Sequence, residues 1–342
     1  MPYYHPMRAY ELGGNGLDTL SLVQRPGPRP GPGQVLVRMR AASLNYRDLL
    51  VAAGTYTRGP VKRPLVPLSD GAGEIVEVGA GVTRLRPGER VAGAFFQRWV
   101  DGRFDAEKGA SALGGAIDGV LAEEVVLEAD AAVRIPDHLS FEEAATLPCA
   151  AVTAWVGLVA LGGLRAGDTV LAQGTGGVSI FALQLAKMLG ARVILTSSHD
   201  EKLARGKALG ADAVVNYRTT PGWDEAVLAL TGGRGVDHVL EVGGAATLPR
   251  SLRALRDGGH LALVGLLGGA RADPALAAQN GRGIRVDSVF VGSVRHFEAM
   301  NEAIARASLR PVVDRVFPFE EARRAYEHLR SGAHLGKVVV TV

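Results

Sequence analysis

A short glycine-rich segment, Gly174-Thr175-Gly176-Gly177-Val178-Ser179, most constrains the fold of this chain of 342 residues. The apolar run Thr169–Gln173 precedes the segment, and a helical pattern follows it. This strand–turn–helix context is typical of dinucleotide-binding loops. Gly174 permits the tight turn, Gly176 lets the backbone approach a pyrophosphate, and the N–H groups at the helix start favour an anion. Ser179 replaces the usual third glycine, and the alternative is a turn that only packs a helix on a strand.

Strand-like runs alternate with helical patterns from about residue 168 onward. The runs are 169–173, 192–196, 213–216, 238–242, 260–266 and 285–291. This alternation predicts a doubly wound, parallel sheet. The chain before about residue 145 instead shows short apolar runs between Pro- and Gly-rich turns, which indicate a small β-rich barrel or sandwich. The pattern after about 310 is short and mixed, and we expect the strand at 337–342 to return to the first domain.

Charge and cysteine content exclude several functional classes. The net charge is +3 and there is no block of basic residues, so nothing favours a nucleic-acid or membrane partner. The single cysteine, Cys149, rules out an internal disulfide and a zinc site of four thiolates. The N-terminus lacks the apolar segment of a secretory signal, and the apolar stretch at 150–164 is shorter than the ~20 residues that span a bilayer. We therefore expect a cytoplasmic protein.

The residues after the second strand-like run suggest which dinucleotide binds. No acidic residue stands at the strand tip, where it would accept the ribose 2′-OH of NAD. Small hydroxyls and a cation that suit a 2′-phosphate follow this run instead, namely Ser197, Ser198 and Lys202, and Tyr217-Arg218 end the third strand nearby. This pattern favours NADP. Asp200 and Glu201 leave NAD possible, and the two cations could also be ordinary solvated charges.

Motifs along nearly the whole chain resemble the medium-chain dehydrogenase/reductase superfamily. They are Ser43-Leu44-Asn45-Tyr46-Arg47-Asp48, 70–79, 85–91, 142–148, Thr153-Ala154-Trp155, the glycine loop and Gly336-Lys337-Val338-Val339. The subgroup most similar is the zinc-independent quinone oxidoreductases and their alcohol-dehydrogenase-like relatives. The resemblance implies an α/β protein with a GroES-like catalytic domain at 1–145, completed by 310–342. A doubly wound Rossmann domain at 146–309 interrupts it.

The resemblance also implies where a catalytic zinc ion would bind, and the residues there are unsuitable. Zinc enzymes of the superfamily use a Cys, a His beside a Glu, and a second Cys. This chain has Asn45, the pair Ser69-Asp70, and Cys149 at or beside those positions. Asn and Ser are poor zinc ligands, so we expect no zinc. The strand histidines His238 and His260 are expected to be structural.

Hydride transfer without a metal needs a hydrogen-bond donor for the developing oxyanion. Asn45 is the best candidate, and the resemblance places it at the cofactor. Asp48, one helical turn later, could orient Asn45 or cap a helix. Tyr56 could face the substrate or simply pack, and Asp70 could be an acid–base, an ion-pair partner or a turn residue.

Further cofactor contacts are expected at strand ends and at two motif positions. The carboxyl ends of the later strands should line the cofactor crevice. The residues there are Val242, Gly243, Gly265, Leu266 and Val291. The resemblance adds the Thr153 hydroxyl at the nicotinamide amide, and Lys337 from the first domain. A surface lysine is the alternative for Lys337.

These observations lead to one principal hypothesis and two rivals. The principal hypothesis is a zinc-independent oxidoreductase that transfers hydride between NADP(H) and a small carbonyl, enone or quinone. The rivals are an NAD(P)-dependent alcohol dehydrogenase that works oxidatively, and a nicotinamide-binding sensor or structural protein with little catalysis. The resemblance further predicts a homodimer, formed through the sheet edge at 286–291.

Overall fold

A computed structural model of the protein describes residues 5–57, 59, 61–264 and 280–342. The chain divides into two compact units. Unit 1 comprises Met1–Val152 and Val291–Val342, and unit 2 comprises Thr153–Phe290. Among the described residues, no helix combines the length and the apolar character needed to span a bilayer.

Unit 1 is built on a mostly antiparallel sheet. Its strands are β1 (Pro6–Leu12), β2 (Leu20–Pro26), β3 (Gln34–Leu44), β4 (Asp70–Val78), β5 (Arg90–Gly93), β6 (Glu124–Glu128), β7 (Ala132–Arg134), β14 (Val313–Phe317) and β15 (Lys337–Thr341). The main sheet has the order β14-β15-β3-β4-β5-β7, β6 also pairs with β3, and β1 and β2 form a separate ribbon. Since β15 pairs with β3, the C-terminal strand lies within the main sheet of unit 1.

The helices of unit 1 are short except near its C-terminus. They are α1 (Tyr46–Ala53), α2 (Ala106–Gly109), α3 (Phe141–Ala144), α9 (Val294–Ala307) and α10 (Ala322–Ser331). A core of aliphatic side chains from β3, β4 and β6 packs against Tyr326 and Leu329 of α10. This core holds the start of α1 and the end of β3 in place, where the polar cluster described below lies.

The described residues of unit 2 include a six-stranded parallel sheet with the order β10-β9-β8-β11-β12-β13. Its strands are β8 (Thr169–Gln173), β9 (Arg192–Ser197), β10 (Ala213–Asn216), β11 (Val236–Glu241), β12 (Leu255–Leu263) and β13 (Arg285–Ser288). Its helices are α5 (Gly177–Met188), α6 (Asp200–Ala208), α7 (Trp223–Leu230) and α8 (Leu248–Ala254). The helical segments Leu147–Ala151, Val152–Trp155 (α4) and Val156–Leu161 lead into the unit. Every residue of β8 is buried, as expected for a central parallel strand.

The structure corrects the predicted domain boundary at 309/310. Helix α9 belongs to unit 1, because Asn301 Nδ2 donates to the carbonyl oxygen of Arg134 at 3.0 Å, and the Val294 amide donates to that of Trp99. The unit also extends beyond residue 145, to Val152. The strand predicted over 285–291 ends at Ser288, and the last residue of that prediction, Val291, has a φ of +57°. This left-handed backbone is unusual for a β-branched residue and cannot continue a strand.

Candidate active site

The glycine loop of unit 2 connects β8 to α5 and leaves its backbone open. Gly174 has a φ of +73°, which favours glycine, whereas Gly176 has an ordinary φ of −74°. A Cβ atom built on either residue would meet no atom of the described residues within 4 Å, apart from its chain neighbours. Gly176 caps α5 without a side-chain hydrogen bond, so the first N–H groups of the helix are available to an anion. The loop therefore fits a pyrophosphate.

A buried carboxylate organises the end of the neighbouring strand. Glu241, at the end of β11, is fully buried. Its Oε1 accepts hydrogen bonds from the amides of Gly243 and Gly244 at 2.7 and 2.9 Å, and from Thr247 Oγ1 at 2.6 Å. Its Oε2 accepts from Ser251 Oγ, and from Gln173 Nε2 at 3.0 Å. Since Gln173 immediately precedes Gly174, the hydrogen bonds of this carboxylate connect the glycine loop to the loop after β11.

The residues predicted to hold the 2′-phosphate gather at the end of β9. Ser197 is buried, and its Oγ accepts from the amide of His199 at 3.4 Å. Ser198 and Lys202 are half-buried beside it in sequence. Asp200 Oδ1 accepts from Asn216 Nδ2 at 2.7 Å, so this carboxylate already has a partner. The exposed Tyr217 follows β10, and its amide donates to the Ser197 carbonyl oxygen at 3.1 Å.

A second cluster of polar side chains lies in unit 1, where β3 meets α1. Asn45 is the N-cap of α1 and forms a capping box with Asp48, whose Oδ2 accepts from the Asn45 amide at 2.7 Å. Lys337 Nζ donates to Asn45 Oδ1 at 2.5 Å and to the Leu44 carbonyl oxygen at 2.7 Å. Burial raises the pKa of Asp48 to about 6, against the opposing charge of Arg47. Asp48 thus has the contacts of a capping residue.

Asp70 is the acidic partner within the same cluster. It is fully buried, its Oδ1 accepts from Ser69 Oγ at 2.6 Å, and its Oδ2 accepts from the Cys149 amide at 3.0 Å. Lys337 Nζ lies 3.8 Å from Oδ2. Burial raises the pKa of Asp70, while the charge of Lys337 and the interactions with Ser69, the Asn45 side chain and the Cys149 amide lower it. The residue before this pair, Leu68, has a φ of +68°, and such a backbone outlier is common at functional sites.

The cluster does not fit a zinc ion. The positions that would supply ligands hold Asn45, Ser69-Asp70 and Cys149, and the Lys337 ammonium lies among them. Burial raises the pKa of the Cys149 thiol, which disfavours the thiolate that zinc requires. Across the described ranges, no group of three or more His, Cys, Asp or Glu side chains is placed to bind a metal.

Tyr56 packs beside an arginine that the sequence analysis did not single out. The Arg47 guanidinium carbon lies 5.0 Å from the centre of the Tyr56 ring and 4.7 Å from that of Phe95. Its Nη1 donates to the Leu113 carbonyl oxygen at 2.9 Å. These contacts favour packing for Tyr56, although the ring keeps partial exposure.

The remaining predicted cofactor residues belong to separate elements, some in unit 1 and some in unit 2. Thr153 is buried in α4. The Val242 amide donates to Gln173 Oε1 at 3.3 Å, next to the Glu241 network. Val291 packs in unit 1 against the aromatic cluster of Phe95, Phe96 and Trp99. Gly265 and Leu266 lie outside the described residues.

Sequence reasoning missed Glu241 and Gln173 as organising residues. The sequence held a signal for each of them, because each is a polar residue at the end of an apolar, strand-like run. The resemblance related Lys337 to a cofactor, and within unit 1 its Nζ donates to Asn45 Oδ1.

Comparisons with known proteins match both units. A family described as alcohol dehydrogenase GroES-like domain matches residues 31–137, and one described as zinc-binding dehydrogenase matches residues 177–307. The chain is 45% identical over 335 residues to a zinc-type alcohol dehydrogenase-like protein of Schizosaccharomyces pombe, covering 96% of each chain. It is 32% identical over 329 residues to acryloyl-coenzyme A reductase of Metallosphaera sedula, covering 92% of this chain and 94% of that protein. A crystal structure of a candidate alcohol dehydrogenase from Sinorhizobium meliloti is similar over 100% of both chains, with 42% identity and a TM-score of 0.91.

Proposed function

Because the chain belongs to the medium-chain dehydrogenase/reductase superfamily and is an NAD(P)-dependent oxidoreductase, we propose that it transfers a hydride between NADP(H) and a small carbonyl, enone or quinone without zinc. The observation that carries the zinc-free reaction is the buried contact of Lys337 with Asn45. An ammonium group lies among the residues that would otherwise be zinc ligands. Similarity to an acryloyl-coenzyme A reductase supports an enone-like acceptor.

NADPH supplies the hydride when it is bound. In this proposal the open backbone at Gly174 and Gly176 and the N-terminus of α5 bind the pyrophosphate. Ser197, Ser198 and Lys202 bind the 2′-phosphate, a role supported by the pairing of Asp200 with Asn216. Asn45 donates from Nδ2 to the oxygen that gains charge as hydride arrives at the substrate carbon.

The test is NADPH consumption by protein treated with EDTA, followed by absorbance of the reduced nicotinamide. One quinone, one enone and one aldehyde serve as acceptors, and NADH replaces NADPH in a parallel series. We expect consumption with NADPH that survives EDTA, and a slower rate with NADH. Activity that returns only on addition of Zn²⁺ would contradict the zinc-free mechanism.

Alcohol oxidation is the second candidate, since the chain shares 45% identity with a protein named as zinc-type alcohol dehydrogenase-like. Reduction of NADP⁺ by primary alcohols, with no turnover of enones, would favour it. Binding of NADPH with no turnover of any acceptor would instead favour a sensor.

We also propose that the enzyme works in the cytoplasm as a homodimer. The single cysteine is consistent with a reducing compartment. Strand β13 is the last strand in the order of the unit 2 sheet, and an open edge of this kind is suited to pairing. Size-exclusion chromatography with light scattering tests the dimer, and a monomer at micromolar concentration would contradict it.

A further inference from the structure

We propose that Lys337 is a positioning residue for hydride transfer, whose ammonium orients and polarises the Asn45 amide so that Nδ2 donates to the carbonyl oxygen of the substrate. This inference rests on the proposed function. It adds a residue that contacts neither substrate nor cofactor and acts through Asn45.

The contact between the two side chains is short and buried. Lys337 Nζ lies 2.5 Å from Asn45 Oδ1, and the residues are 2% and 9% exposed. A second donation, to the Leu44 carbonyl oxygen at 2.7 Å, holds the ammonium in place. The register of the sheet produces this approach, because Val338 of β15 pairs with Leu44 of β3.

The chemistry of an ammonium determines which way the amide faces. Lysine can only donate hydrogen bonds, so the Asn45 atom nearest Nζ must be the acceptor Oδ1. The other amide atom, Nδ2, is then the donor. It is buried and makes no hydrogen bond of 3.5 Å or less to the described residues, although it is close enough to the Asp70 carboxylate to lower the pKa of that group. An unsatisfied buried donor is costly in the free protein, and a ligand oxygen would relieve that cost.

The ammonium also strengthens the donor. A cation on Oδ1 draws electron density from the amide, which makes the Nδ2 hydrogens better donors. Asp70 Oδ2, 3.8 Å from Nζ, offsets part of the positive charge and keeps the buried lysine compatible with folding. The pair of residues therefore offers the polarising role that a metal ion would have.

The step itself needs no further co-reactant. When bound, the dihydronicotinamide would supply the hydride with its electron pair, which would form a C–H bond at the substrate carbon. The π electrons of the substrate move to its oxygen, which accepts the Asn45 hydrogen bond. Oxidised nicotinamide remains, and a proton from water completes the alcohol or, through the enolate, the saturated ketone.

The experiment is a double-mutant cycle on steady-state kinetics with an enone and NADPH. Lys337→Met removes the charge at similar length, and Asn45→Ser removes the amide but keeps a helix-capping hydroxyl. We expect each substitution to lower kcat roughly 10- to 100-fold, with KM for the enone and Kd for NADPH changed less than about threefold. The double variant should lose about as much as Asn45→Ser alone, because Lys337 acts only through Asn45.

Controls separate folding from positioning. Lys62→Met removes a lysine that pairs with Asp118 at 3.3 Å on the exterior of unit 1, and should leave kcat unchanged. Circular dichroism melting checks each variant, and Lys337→Gln, which keeps an N–H donor, replaces Lys337→Met if that variant does not fold.

The outcomes distinguish this inference from the proposed function. Wild-type protein that oxidises no NADPH with any acceptor overturns both. Wild-type turnover combined with losses that multiply in the double variant overturns the role of Lys337 alone. A Lys337 variant with normal kcat and NADPH binding weakened more than tenfold would also overturn this role. Such a result would show that Lys337 contacts the cofactor.

Discussion

Lys337 Nζ lies 3.8 Å from Asp70 Oδ2, and the two residues are 2% and 0% exposed. Asp70→Asn should destabilise the protein by about 3 kcal/mol, because it leaves a buried ammonium without its carboxylate. The double variant with Lys337→Met should regain much of that loss. Thermal melting by circular dichroism measures both effects. If Asp70→Asn has the same melting temperature as the wild type, the Asp70 carboxyl group is protonated in the native protein.

Gly176→Ala separates cofactor binding from folding. Gly176 has an ordinary φ of −74° and open space around a Cβ atom, so the substitution should cost about 1 kcal/mol of stability or less, the cost of replacing a favoured N-cap residue by alanine. The added methyl group would occupy space that the pyrophosphate needs, and the Kd for NADPH should rise at least tenfold. Isothermal titration with NADPH measures it. Unchanged affinity would show that the phosphate does not approach this residue.

A matched pair of glycine substitutions tests the turn at Gly174. Gly174→Ala and Gly167→Ala both place a side chain at positive φ, +73° and +88°, without steric contact. Each should cost about 1 kcal/mol of stability. Only Gly174→Ala should also weaken NADPH binding, because Gly167 lies in the turn before β8 rather than in the glycine loop. If both substitutions changed NADPH binding equally, the glycine loop would have only a structural role as a turn.

Lys202→Ala should remove the preference for NADPH over NADH. A charge-assisted hydrogen bond to the 2′-phosphate is worth ~1.5–3 kcal/mol, so the Kd for NADPH should rise roughly 10- to 100-fold. The Kd for NADH, which lacks that phosphate, should stay the same. Lys207→Ala, an exposed position on the same helix, is the control. A parallel loss of both cofactors would argue against a 2′-phosphate site at Lys202.

The buried histidines of unit 2 should make stability fall in acid. His238 Nδ1 lies 3.5 Å from His260 Nδ1, and their outer nitrogens face Asp168 and Asp287, each at 3.2 Å. Burial lowers the pKa of His260 to about 4, below its value of 6.5 in an unfolded chain. Between these pH values the unfolded chain binds more protons than the folded one, so stability is present above pH 6.5 and is lost as the pH falls toward 4.

The size of this effect is measurable by urea unfolding at pH 7 and pH 5. The His260 proton should reduce the free energy of unfolding by about 2 kcal/mol over that interval. His260→Gln should show a smaller decrease, whereas the exposed control His199→Gln should behave as the wild type. An identical decrease in wild type and His260→Gln would contradict the assignment.

Local patterns predicted the fold of unit 2 closely. The strands over 169–173 and 213–216 have the predicted bounds, and the helix after the glycine loop ends two residues before Gly190. These elements could be derived because buried parallel strands are continuous apolar runs and because turn residues punctuate them. The predicted end of the unit was wrong, because helix α9 has an amphipathic pattern that would suit either unit. Its neighbours in space, such as Arg134, are distant in sequence.

The candidate site was likewise predictable from the sequence only in part. The sequence by itself determined the glycine loop, since turn chemistry acts over a few neighbouring positions, and it made Asn45, Asp48 and Asp70 candidates through residue type and the family resemblance. Only the tertiary structure decided that Lys337 contacts Asn45 across 292 positions of sequence. That contact depends on the antiparallel pairing of the C-terminal strand with β3. Strand pairing is decided by burial and register in the whole sheet, and no local pattern carries that information.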